Sequence, residues 1–419
     1  MEIELVTIGT ELLLGLTLDT NGAEIARALA ARGIRVTRRA SVADRPGDIR
    51  DAVAEALRRS GAVLTTGGLG PTQDDITKKI VAELYGAPLE FDEGVWATLL
   101  DRFARLQRKP AASNRSQAEV PRGAIVLRNR WGTAPGLWLE GSPGLVIMLP
   151  GVPVEMRNLL EHEVLPRLAP RTSGSVIRSL VVRTTGIPES SLAERLGNIE
   201  HELAPLTLAY LPGLEGVDLR LSAWNVPPDE ADQRLRSAAD LLRSRTGASV
   251  YGEGESDLAA LVLEQARAQR VRLAVAESCT GGLLGARITD IAGSSDVFRG
   301  GVIAYDNGVK LELVGVPAVL LVEHGAVSEP VARAMAEGAA RRFEVAAAVS
   351  VTGIAGPGGG SETKPVGTVW IGCALNGITE TRRLLFPGTR HEIRARAAQA
   401  ALFLLYRMLS ASERPVTPP

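Results

Sequence analysis

The stretch AESCTGGLLGARI, Ala276 to Ile288, follows the apolar run VRLAVA and opens into the amphipathic run LLGARITDIA. An apolar run of strand length, a Ser-Cys-Thr-Gly-Gly punctuation and then 3.6-residue periodicity read as strand, tight turn and helix. At such a junction the first helical N–H groups lack partners and the helix dipole is positive, which favours a phosphate. Gly281 and Gly282 would let an anion approach the backbone, while Ser278 and Thr280 add hydroxyl donors. An ordinary helix cap followed by a tight turn is the competing reading of the same residues.

A second junction favours a ligand. AAAVSVTGIAGPGGG leaves another apolar run through Thr352, Gly353, Gly356 and Pro357. Two glycine-rich loops at strand C-termini of one parallel sheet define a crevice, the usual ligand position in open α/β folds. Neither loop has the P-loop lysine spacing, which disfavours a nucleoside triphosphatase. The expected ligand is a phosphorylated small molecule.

Outward from this core, the 419 residues are too many for one hydrophobic core. Residues 1–170 alternate strand runs (IELVTIG, AVLTTGG, GLVIMLPG) with helical runs (NGAEIARALAARG, PGDIRDAVAEALRRSG), the pattern of a three-layer α/β domain with a parallel sheet. Residues 171–252 read as a small α+β connector. Residues 253–412 form a second α/β domain, and 413–419 a polar, proline-rich, disordered tail.

Lys plus Arg number 47 against 48 Asp plus Glu, a balance that argues against a nucleic-acid or anionic-membrane partner. Cys279 and Cys373 are the only cysteines, so neither a disulfide framework nor a four-thiolate zinc site is expected. No basic leader precedes MEIELVTIGTELLLG, and no run of about 18 apolar residues suggests a membrane span. The expectation is a soluble, cytoplasmic homodimer.

Cys279 at a helix N-terminus, with His324 as base, is one candidate nucleophile; a packed, inert thiol is the other reading. The run AGSSDVFRGGVIAYDNGVK offers another set. Ser294 and Ser295 sit in a turn, Tyr305 follows a strand, and Lys310 lies one turn into a helix. A desolvated, neutral lysine can activate a serine. A turn serine, a surface tyrosine and a solvated lysine are the plainer reading.

AESCTGG, AGSSDVFRGGVIAYDNGVK, HGAVSEPVARAMAEGA, VTGIAGPGGG and KPVGTVW, in this order, resemble the C-terminal domain of the CinA family, the nicotinamide mononucleotide deamidase. The resemblance implies hydrolysis of nicotinamide mononucleotide to nicotinate mononucleotide and ammonia, without a cofactor. It implies Ser295, Tyr305 and Lys310 as catalytic residues. Substrate would be held by Ser278, Thr280, Gly281, Gly282, Thr352, Gly353, Gly356 and Arg390, with Arg394 beside it. The serine at 295 and the amine at 310 are expected to meet over a pocket floored by 278–282. Asp306, Gly308, Val309 and Gly358 depart from the commoner family wording.

IGTELLLGLTLDTN, TTGGLGPTQDD and LPGVPVEM resemble the other CinA domain, related to the molybdopterin-binding fold. That resemblance implies hydrolysis of ADP-ribose to AMP and ribose 5-phosphate with a divalent metal (Mg, Mn or Co). Glu11, Asn21, Gly67, Gly68, Gly70, Pro71 and Gly151 would border the substrate, and Asp44, Asp74 and Asp75 the metal. Leu69 stands where the molybdopterin relatives carry Thr or Ser, which argues against a molybdopterin-processing transferase. TTGIPESSLAERLG resembles the family's KH-like connector. A competence- or damage-associated nucleotide-binding scaffold is the non-enzymatic alternative.

Overall fold

The computed structural model describes residues 1–172 and 176–412; the tail expected at 413–419 lies outside the described residues. Two compact units form, one from Met1–Arg178 with Ser222–Arg234, the other from Ser179–Leu221 with residue 235 onward.

In the first unit, strands Glu2–Ile8, Arg35–Val42, Ala62–Thr66 and Gly144–Leu149 run parallel, with Gly136–Gly141 and Ile125–Leu127 added antiparallel at one side. Period-two alternation sends Ile3 and Leu5 to one core, with helix Thr20–Ala30, and Val6 and Ile8 to the other, with helix Pro46–Ser60. The expected parallel sheet covered on both faces is present. It places the segments after Ile8, Thr66 and Leu149 at one sheet end.

The connector strands form a four-stranded sheet in the order Thr207–Pro212, Val217–Val226, Val176–Thr184, Val250–Glu253. Helix Glu189–Leu196 buries Leu192 and Leu196.

The second unit holds a five-stranded sheet, in the order Phe298–Ile303, Leu273–Glu277, Ala347–Gly353, Thr368–Leu375, Ile378–Leu385. The first three strands are parallel and the last two antiparallel. Leu273 and Val275 face the core of helices Leu258–Ala268 and Arg390–Ser412, while Ala274 and Ala276 face helix Glu329–Phe343. Each buried Leu or Val here contributes roughly 1.5–3 kcal/mol. Strands Leu273–Glu277 and Ala347–Gly353 are neighbours, so both glycine junctions leave the same sheet end side by side.

Candidate functional site

Ser278 N–H donates to the Val351 carbonyl at 2.8 Å, which ties the first junction to the strand that feeds the second. Gly353 is glycine for a steric reason. A Cβ there would lie 2.9 Å from the Thr368 carbonyl oxygen and 3.1 Å from Cys279 Sγ. Helix Arg390–Ser412 then closes the crevice. Arg390 donates to the Gly356 carbonyl at 2.8 Å and to the Tyr305 hydroxyl at 2.9 Å, and Arg394 donates to the Thr280 carbonyl at 2.6 Å. Exposed Arg390 and half-buried Arg394 thereby tie the last helix to both junctions. Thr352 Oγ1 donates to the Ala326 carbonyl at 2.8 Å.

The free N–H groups expected for a phosphate are already taken. Glu277, buried at the strand end, accepts Gly282 N–H and Leu284 N–H at 3.0 Å and Gly285 N–H at 2.8 Å. Gly281 N–H donates to the Ser278 carbonyl, and the Thr280 hydroxyl is fully buried with no hydrogen-bond partner. The donor role expected of Thr280, Gly281 and Gly282 is therefore corrected: an internal carboxylate occupies the positive end of the helix. A negative charge at that end also disfavours a phosphate beside it, so an anion is better served by Arg390 and Arg394. Glu277 escaped the sequence reading, although an acid directly before a glycine-rich helix start was a signal for it.

Lys310 sits in helix Asn307–Val314 and is only 1% exposed. Its Nζ donates to the Tyr305 carbonyl at 3.2 Å. Burial pushes its pKa below the usual ammonium range, partly offset by Asp306 and Cys279. The plain reading of a solvated lysine is thus wrong, and a poised amine lies at the crevice. Tyr305 is 58% exposed at its mouth. Cys279 is buried, and desolvation pushes its thiol up to about 12. Burial and a raised thiol pKa favour the packed, inert reading of Cys279 over the nucleophile.

Ser295 lies elsewhere. Its turn, Ser294–Asp296, precedes strand Phe298–Ile303, and Arg267 anchors it by donating to the Gly293 carbonyl at 2.6 Å. That strand runs parallel to Leu273–Glu277, with Phe298 opposite Leu273 and Ile303 opposite Glu277. Ser295 and Tyr305 therefore sit beyond opposite ends of one strand, separated by roughly 20 Å for its six residues alone. Within one chain the serine at 295 and the amine at 310 do not meet. Ser278 is the serine that the chain itself brings to the Lys310 end.

In the first unit, Asn21 donates to Thr66 Oγ1 at 3.1 Å and to the Gly151 carbonyl at 2.8 Å, joining three segments of the strand-end crevice. Its Oδ1 is buried without a partner. Gly67 and Gly68 take positive φ, and a Cβ on Gly67 would lie 2.1 Å from the Ile8 carbonyl oxygen. Gly70 packs against the Asp75 carboxylate, and Pro71 follows it in the same loop. Exposed Glu11 precedes a loop that presents Leu14, Leu16 and Leu18 to solvent. Leu69 is buried in the core and offers no hydroxyl.

The three-carboxylate metal site is corrected: no group of three acidic, His or Cys side chains suited to a metal forms among the described residues. Asp44 Oδ2 accepts Thr10 N–H at 2.7 Å, Asp75 Oδ2 accepts Thr72 N–H at 2.8 Å, and a hydrogen bond from Thr72 keeps Asp74 below the ordinary carboxylate pKa. Asp75 caps its own turn, while Asp44 joins the loop after strand Arg35–Val42 to the one after strand Glu2–Ile8. Lys78, absent from the sequence reading, is buried next to this loop; desolvation lowers its pKa to about 8, and it donates to the Ser116 carbonyl. A cavity of about 300 Å³, lined by Asp92, Thr98, Arg128, Asn129 and Thr133, involves none of the expected site residues. No helix among the described residues is long and apolar enough to cross a membrane.

Comparison with known proteins agrees with this architecture. Residues 4–170 match the family described as "Probable molybdopterin binding domain", 179–252 "Damage-inducible protein CinA KH domain", and 255–409 "CinA C-terminal domain". A "CinA-like protein" of Gemmatimonas aurantiaca is 53% identical over 97% of this chain and 96% of its own. A "Putative competence-damage inducible protein" of Caldicellulosiruptor bescii is 41% identical over 98% and 99%. Among solved structures, competence/damage inducible protein CihA from Agrobacterium tumefaciens is 41% identical over 36% of this chain and 93% of its own, with a TM-score of 0.36. The chain belongs to the CinA family.

Proposed function

We propose that the C-terminal crevice hydrolyses the carboxamide of nicotinamide mononucleotide to give nicotinate mononucleotide and ammonia. The observation that carries this reading is Lys310, a buried amine with a lowered pKa, seated beside Tyr305 where both glycine junctions end. A serine Oγ attacks the amide carbon while neutral Lys310 takes its proton. The tetrahedral intermediate collapses when Lys310 returns that proton to the leaving nitrogen, and ammonia departs. Water then attacks the acyl-serine by the same proton route, releasing the carboxylate and restoring the hydroxyl. Tyr305, held by Arg390, orients the amide, and Arg390 with Arg394 supplies the positive charge for the phosphate.

The first unit is proposed to take ADP-ribose, with the diphosphate over Gly67, Gly68 and Gly151 and the exposed leucines beneath the base. Asp74 or Asp75, beside the glycine loop, would hold a divalent cation, which would supply positive charge against the substrate diphosphate. No chemical step is assigned to it. The test is product analysis of the purified chain with nicotinamide mononucleotide and with ADP-ribose, each with and without divalent cations. Nicotinate mononucleotide is the expected product of the first. Unchanged nicotinamide mononucleotide, together with salt-dependent nucleic-acid binding, would instead support the scaffold alternative.

A further inference from the structure

Resting on the amidase reading of the Lys310 crevice, we propose that Glu215 of the connector and Arg287 are positioning residues for that site. Together they hold the helix behind the Ser278 turn in register with the helix that carries Arg390 and Arg394. The connector is then a working part of the amidase unit and not a tether.

Arg287 sits in helix Leu283–Thr289, which starts at the crevice floor, and its side chain is only 15% exposed. Its guanidinium donates to Gln399 Oε1 at 2.6 Å and lies 3.4 Å from Asp257 Oδ2 and 3.1 Å from Glu215 Oε1. Gln399 is buried in helix Arg390–Ser412, and Asp257 caps helix Leu258–Ala268 by accepting Ala259 N–H at 2.7 Å. Glu215 comes from the hairpin between strands Thr207–Pro212 and Val217–Val226. One planar fork therefore joins the crevice helix to two other helices and to the connector.

The hairpin is itself held. Gly213 N–H donates to the Gly216 carbonyl at 2.8 Å, and a Cβ on Gly216 would lie 1.9 Å from the Thr184 carbonyl oxygen, so the turn lies against strand Val176–Thr184. Glu215 Oε2 accepts from Arg183 at 3.0 Å, and Arg183 also meets Asp218 at 3.2 Å and donates to the Ser256 carbonyl at 2.9 Å. The Glu215 carboxylate thus bridges two guanidinium groups, one in the connector and one in the crevice helix. On the crevice side the same helix region meets helix Arg390–Ser412 again, where Arg394 donates to the Thr280 carbonyl at 2.6 Å. Leu284, Ile288, Ile393 and Ala397 share one apolar core, but apolar contact is non-directional and permits sliding. A guanidinium fork is directional, and with the Thr280 contact it fixes the register of the two helices. That register sets Arg390 and Arg394 against the Ser278 turn, where the substrate phosphate is proposed to sit. Lys310 lies on another helix and keeps its place, so loss of register is read in KM more than in kcat.

The experiment is a double-mutant cycle in the full chain, read as KM and kcat for ammonia release from nicotinamide mononucleotide. Glu215→Gln is expected to raise KM about threefold and Arg287→Met about tenfold, each with kcat within about twofold of wild type. The double variant should match Arg287→Met, because the glutamate acts only through the arginine. Glu202→Gln breaks a connector ion pair with Arg245 that does not involve Arg287, and it should leave KM at the wild-type value. A wild-type KM in folded Arg287→Met, effects that multiply in the double variant, or an equal rise in Glu202→Gln would each overturn the proposal. Hydrogen exchange supplies a readout that needs no turnover: amides of Leu283–Thr289 should exchange faster in Glu215→Gln than in wild type. If the wild type releases no ammonia, the amidase reading is lost, and the exchange alone decides the positioning, with unchanged rates overturning it.

Discussion

The Glu277 carboxylate accepts the Gly285 N–H at 2.8 Å, eight residues further along the chain, and spans the turn that carries Ser278 and Thr280. With its bonds to Gly282 and Leu284 it satisfies the start of the following helix and fixes the floor of the crevice. Glu277→Ala should therefore destabilise the unit by about 3 kcal/mol, since three charge-assisted bonds are lost in a buried place. Urea unfolding of the two proteins measures this; a loss within ordinary surface values, about 0.5 kcal/mol, would remove the cap assigned to Glu277.

Lys310 gives a pH dependence with a defined sign. Its folded pKa lies below the unfolded value near 10.5, so the unfolded chain binds more protons between the two. Stability of the wild type relative to Lys310→Met should rise as pH climbs through the lowered folded value and level off near 10.5. The free-enzyme rate, kcat/KM, should rise over the same limb because the neutral amine is the base. Thermal unfolding and rate profiles from pH 6 to 10 check both; profiles that fall with pH would contradict the assignment.

Cys279 should resist alkylation. Desolvation holds its thiol at about 12, and Cys373 is buried as deeply. Native protein treated with iodoacetamide at pH 8 should show no mass shift, while the denatured chain gains two adducts. Rapid loss of activity with one adduct at Cys279 would reinstate the thiol as a nucleophile.

Arg390 links Tyr305 to Gly356, and its removal should act mainly on substrate binding. Arg390→Ala is expected to raise KM for nicotinamide mononucleotide about tenfold, with a smaller change in kcat. A normal KM with a collapsed kcat would place Arg390 in the chemical step instead.

Much of this architecture is legible in the residues. The runs VRLAVA and AAAVSVTG carry period-two packing on both faces, and glycine at 281, 282 and 353 marks where backbones must turn or approach closely. Lys310 was readable as a candidate, but its burial was not, because a single lysine in a helix start looks the same whether solvated or enclosed. Helix-terminal N–H groups at 282–285 suggested an anion; the sequence does not tell an external phosphate from the chain's own Glu277. Ser295 shows the third limit. Ten residues separate it from Tyr305 in sequence, yet an intervening strand turns that proximity into maximal separation. Asp44, Asp74 and Asp75 similarly read as a cluster, yet Asp75 serves its own turn and Asp44 ties two separate loops through Thr10.

The most direct test of the central claim compares kcat/KM for nicotinamide mononucleotide between the wild type and Lys310→Met at pH 8, with folding verified by circular dichroism. Loss of the base should lower kcat/KM by about 10²–10⁴, the usual worth of a positioned general base. A folded Lys310→Met protein that still forms nicotinate mononucleotide at the wild-type rate would contradict the account.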